Sequence, residues 1–205
     1  MSSLPKRRMG SVSAALSLVF LTMAAGGCAA MQGAPSGPKI GVDVGLRRGA
    51  SWTTFNVRPS RVIGPTASLE MKKGQIVGFL DSRTVRLDVK PEELTGVAGG
   101  RVALDIDQRP GSLEINGLWN DQRVHFEITP DSLKGTITGG SLGHCQYVLD
   151  HTDGEGARSG TSICSFMPQE TRLEFPSAVE RWLGRGETVA VLLALLSSAP
   201  PTTSD

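Results

Sequence analysis

Hydrophobic and polar residues alternate with a period of two through the middle of the chain. Val85, Leu87 and Val89 alternate with Arg86, Asp88 and Lys90, and Val124, Phe126 and Ile128 alternate with His125, Glu127 and Thr129. Successive strand residues point to opposite faces, so this pattern predicts half-buried β-strands, apolar inside and polar outside. Residues 101–107 add another such strand through Val102, Leu104 and Ile106. The polar stretches Asp81-Ser82-Arg83 and Asn120-Asp121-Gln122 separate two of these strands from apolar runs before them, which predicts hairpins.

The alternation belongs to a repeat. Gly78, Val85, Pro91, Leu94 and Gly96 recur 39 residues later, without a gap, as Gly117, Val124, Pro130, Leu133 and Gly135. An earlier copy runs through Phe55, Val57, Pro59, Val62 and Gly64, and Leu173-Glu174-Phe175-Pro176 is a degenerate fourth. The Pro should end each strand, because it cannot donate to a ladder. The following Leu should return to the core, and the Gly should let the chain turn away. These features predict an antiparallel all-β domain of about ten short strands, a barrel or a sandwich built from repeated hairpin units. A propeller is excluded, because three clear copies are too few blades.

The period changes near the C-terminus. Ser177-Ala178-Val179-Glu180 has the form of a helix-capping box, and Gly184 follows as a stop signal. Residues 187–197 come next, with 189–196 almost wholly apolar. That run falls well short of the roughly 20 residues that span a bilayer. A buried helix packed on the sheet is expected, with a central strand as the alternative.

The N-terminus carries a basic start (Lys6, Arg7, Arg8), an apolar run over residues 12–25 and then Ala25-Gly26-Gly27-Cys28. This resembles the lipobox signal of bacterial lipoproteins, with Ala25 where that family usually has Leu. The resemblance implies cleavage before Cys28 by the lipoprotein signal peptidase and lipid on the Cys28 sulfur. It divides the chain into a signal peptide (1–27), a Gly/Pro/Ser-rich lipid tether (28–39), one β-rich domain (40–198) and a Pro/Thr/Ser tail (199–205). A plain secretory signal cut near Ala25 or Ala30 is the alternative. Ala29, rather than Asp, follows Cys28. By resemblance to enterobacterial lipoprotein sorting this implies the outer membrane, on its periplasmic or surface face.

Charge and cysteine count sharpen that picture. The signal holds three of the 21 Lys and Arg and none of the 20 Asp and Glu, so the remaining chain is near −2. No basic excess is left to bind nucleic acid by counterion release. Of three cysteines, lipidation takes Cys28, leaving Cys145 and Cys164 with 18 residues between them. In an oxidising compartment that pair reads as a disulfide.

Candidate chemistry is sparse. His144, His151 and Asp153, with Asp150 and Glu155 beside them, could hold zinc or copper or serve an anchored hydrolase. Against this, Cys145 is committed to Cys164 and the segment reads as the tip of a disulfide-closed loop. His125 occupies the outward slot that Arg86 fills in the sister repeat, so a solvated histidine is expected. Ser112, Ser132, Ser141 and Ser159 lie outside any Gly-x-Ser-x-Gly elbow; Gly139-Gly140-Ser141-Leu142-Gly143 comes closest. There is no phosphate loop, no zinc-spaced cysteine cluster and no motif for a cofactor. The sequence therefore points to a non-enzymatic, lipid-anchored envelope module that binds or scaffolds protein partners. An anchored hydrolase or metal-binding protein using residues 144–155, and a small carrier of apolar ligands, are the alternatives.

Overall fold

The computed structural model describes residues 41–139 and 143–198. The signal, Cys28, the tether to residue 39, Ser141 and the tail lie outside the described residues. Fourteen antiparallel strands follow in order: β1 (Val42–Arg48), β2 (Ser51–Arg58), β3 (Arg61–Ile63), β4 (Ala67–Lys72), β5 (Gln75–Leu80), β6 (Arg83–Val89), β7 (Glu93–Ala98), β8 (Arg101–Arg109), β9 (Ser112–Trp119), β10 (Gln122–Ile128), β11 (Ser132–Thr138), β12 (His144–His151), β13 (Ala157–Cys164) and β14 (Met167–Glu174). Each pairs with its neighbours in sequence, and β1 pairs with β14 to close a barrel. Two helices follow, α1 (Ser177–Trp182) and α2 (Arg185–Ser197).

The repeat unit is a pair of hairpins in this ring. Val85, Leu87, Leu94, Val124, Phe126 and Leu133 all point inward and are buried, while Arg86, Asp88, His125 and Glu127 point outward and are exposed. Ile128 departs from the expectation: it stands at the rim and is only half-buried. Pro91 and Pro130 end their strands as expected. The turns at Asp81-Ser82 and Asn120-Asp121 have positive φ at both residues, the twist that suits a two-residue hairpin.

Two expectations are corrected. Gly96 and Gly135 do not turn the chain away; they sit inside β7 and β11. Gly96 has φ 133°, and a Cβ there would lie 2.2 Å from the Arg86 carbonyl oxygen of the neighbouring strand. Gly117 repeats this at φ 133° against the Ala103 carbonyl. Inward glycines of this kind let strands bend and approach closely, which is how a sheet is curved into a barrel. The Ser177 capping box is also absent: Pro176 is the N-cap of α1, and the Ser177 hydroxyl donates to Glu155 instead.

The apolar C-terminal segment is helical, but it does not lie on an outer face of the sheet. It runs inside the ring. Every residue from Val189 to Leu196 is buried, in one core with the inward residues of the strands. Its last turn is held from well-separated positions around the wall. Tyr147 on β12 donates its hydroxyl to the Leu196 carbonyl at 2.9 Å, and Trp119 on β9 donates its indole N–H to Ser197 at 3.0 Å. Arg48 on β1 donates to the carbonyls of Leu196 and Ser198. The Tyr147 and Arg48 donors satisfy carbonyls that every helix C-terminus leaves open. At its other end Gly186 packs against Val89 and the Lys90 carbonyl. Thirteen residues make a helix of about 20 Å, close to the roughly 23 Å that seven strand residues span. The helix therefore threads the barrel from one mouth to the other.

We call the mouth near Val89 and α1 the lower one, and that near Trp119 and Arg48 the upper. Outward positions at mid-strand carry charge: Arg86, Asp88, Asp105, Arg123, Glu127 and Lys134. A membrane-spanning barrel shows the reverse, an apolar outer band and a polar interior. Among the described residues, no helix is long and apolar enough to cross a membrane.

Candidate functional site

The sequence candidates are spread over the barrel. His144 opens β12 at the upper mouth, and His151 closes it at the lower. Seven strand steps of about 3.3 Å set their Cα atoms roughly 23 Å apart, too far to share a metal or a substrate atom. The His144 ring Nδ1 lies 3.1 Å from the Thr138 hydroxyl. Asp153 and Glu155 are exposed in the turn below β12, and Glu155 is engaged by Ser177. No group of three or more His, Cys, Asp or Glu among the described residues could hold a metal ion. His125 is exposed on the outer wall, with Nδ1 2.5 Å from Asn116 Oδ1. None of Ser112, Ser132 and Ser159 is hydrogen-bonded to a histidine; the Ser132 hydroxyl pairs with Thr129 at 3.1 Å.

Cys145 and Cys164 stand directly opposite one another on β12 and β13, with Cα atoms 4.0 Å apart, and are joined as a disulfide. The bridge lies on the inner face beneath the upper mouth, with Cys145 fully buried.

The lower mouth holds a feature that no motif announced. A cleft of about 550 Å³ opens between the β8–β9 turn, the β10–β11 turn, β13 and the two helices. Its lining combines apolar Leu113, Ile128 and Pro130 with polar Arg158, Arg185, Glu180, Gln108 and Thr188. The strand periodicity places Arg158 in an inward slot of β13, opposite Leu173 of β14. Its Nη2 donates to the Thr129 carbonyl at 3.1 Å. No other Arg158 nitrogen has an acceptor among the described residues, and its Nε is buried. Burial pushes the guanidinium below the ordinary arginine value, and the negative charge of Glu180 partly offsets this. Thr188 Oγ1, in the first turn of α2, is likewise buried and unpartnered.

A second feature marks the upper end. The β13–β14 turn is a tight hairpin at Ser165-Phe166, both with positive φ. Its Phe166 is 94% exposed, in a conformation that bulky residues rarely adopt. Met167, Ile163 and Val148 are exposed nearby.

No protein-family model, curated protein or solved structure matches the chain. Its function is therefore read from its own geometry.

Proposed function

We propose that this chain is a non-enzymatic binding or scaffolding module of the bacterial cell envelope, anchored by lipid on Cys28 to the outer membrane. The observation that carries this reading is the filled interior. A closed wall packed around its own helix makes a rigid body whose recognition must occur at its rims and outer face. Three further features support it. Among the described residues the reactive side chains are dispersed, and no nucleophile, base and orienting group converge. The Cys145–Cys164 bond fits an oxidising compartment. The charged outer wall suits water rather than lipid, so attachment falls to the N-terminal segment. A carrier of apolar ligands needs a hollow lumen, and α2 occupies that space.

The test is Cys28→Ser in the native host. Wild-type chain should partition into detergent with the outer-membrane fraction. The variant should accumulate as uncleaved precursor or appear as soluble protein. Unchanged processing and partition in Cys28→Ser would remove the lipid anchor from the proposal.

A further inference from the structure

The lower cleft combines features that a purely structural rim does not need. Arg158 is half-buried with its Nε shut off from water, yet only one of its five N–H donors meets a protein acceptor among the described residues. Leaving donors of a charged group unpaired away from solvent is costly, and an acceptor in the cleft would remove that cost. Arg185 lines the same cleft and makes no ion pair with a described residue. Thr188 Oγ1 is a further unused donor at the cleft floor. Against these stands one acid, Glu180, so the lining carries one net positive charge.

We propose that the lower mouth binds a small organic acid, a monocarboxylate with a short apolar body. The planar guanidinium of Arg158 presents paired donors that match the two oxygens of a carboxylate. A single net positive charge is balanced by a monoanion, whereas a dianionic phosphate would leave excess negative charge beside Glu180. Leu113, Ile128 and Pro130 line the same cleft and would cover the apolar body. Ile128 packs against the core and is only half-buried because it also lines this cleft. A volume of about 550 Å³ fits a small ligand. The first turn of α2 adds the positive end of a 13-residue helix.

The experiment is calorimetric titration of the full chain in neutral detergent, against a detergent blank, with hexanoate, hexanol, acetate and hexyl phosphate. Hexanoate should bind saturably and raise the melting temperature. Hexanol lacks the charge, acetate lacks the apolar body, and both should bind at least tenfold more weakly. Arg158→Gln should weaken hexanoate by about 10- to 100-fold, the factor carried by a hydrogen bond to a charged group. Arg185 is exposed, so Arg185→Gln tests the same cleft without threatening the fold and should weaken binding about threefold or more. Arg86→Gln on the outer wall should change nothing. Equal binding of hexanol, tighter binding of hexyl phosphate, no saturable binding of hexanoate, or full binding by Arg185→Gln would each overturn the proposal. None of these outcomes bears on lipidation at Cys28, which membrane fractionation tests separately.

Discussion

Gly96→Ala should be among the most damaging single-methyl changes in this protein. Two costs combine there. At φ 133° an L-residue is strained, at about 1–3 kcal/mol. The new Cβ would also lie 2.2 Å from the Arg86 carbonyl oxygen, more than an ångström inside ordinary contact. That oxygen belongs to β6, so relief requires prising β6 from β7 and weakening ladder hydrogen bonds worth about 0.5–1.5 kcal/mol each. The sum is about 3–5 kcal/mol, a large share of the 5–15 kcal/mol that separates a typical fold from its unfolded state. Gly111→Ala is the matched control. Its φ of 82° is also positive, but nothing lies within 4 Å of the added Cβ. It should cost only the conformational term, about 1–2 kcal/mol. Urea unfolding followed by tryptophan fluorescence would compare the two. Equal losses would show that the inward glycines serve only backbone conformation, and the account of close strand approach would fail.

Tyr147 is the only tyrosine, so tyrosinate absorbance reports it alone. Burial raises it above its ordinary value of 10.0, with the Arg48 charge opposing. The unfolded chain therefore loses this proton first: the stabilisation is whole below about pH 10 and is lost as pH climbs through the folded value. Wild type should destabilise in that window more steeply than Tyr147→Phe, and identical alkaline profiles would contradict the burial. Replacing Cys145 or Cys164 by Ser should cost about 2–5 kcal/mol; free thiols in native material, read by mass spectrometry, would refute the bond. Phe126→Ala should lose about 3–5 kcal/mol by opening a core cavity, whereas His125→Ala should stay within about 0.5 kcal/mol; thermal melts of the two would sink the inside-outside assignment if they matched.

The barrel was legible where alternation is clean. β6, β8 and β10 pair aliphatic inward positions with charged outward ones, and the structure keeps that division. It was not legible in β13 and β14, whose inward slots hold Ser162 and Thr171. Those hydroxyls are buried because they bond each other at 2.6 Å, a pairing that only the register creates. β3 has three residues, too few to show a period. These three strands account for most of the shortfall from fourteen to about ten. α2 advertised burial through its lack of a polar face, but an apolar cylinder reads alike on a sheet and inside one. The lower cleft left no sequence signature, because two turns, β13 and two helices bring together residues scattered from 108 to 188. The one available hint was Arg158, a charge in an inward slot two residues before Gly160.

The threaded helix also dictates an order of events. β14 must find β1 across a gap exemplified by the Arg47–Glu170 contact, 123 residues apart, and α2 comes later still. As the chain emerges, thirteen of the fourteen strand pairings can form locally, yet the ring has neither its closing seam nor its filling. Until Leu196 is free, the apolar inner wall has nothing to close upon. A chain delivered N-terminus first must therefore wait, open and adhesive, for its last helix. Long-range closure of this kind is slow, and the waiting interval is when a shielding chaperone or a wrong partner would find it. Losing the last turns of α2 would not trim such a protein; it would leave every copy halted at that stage.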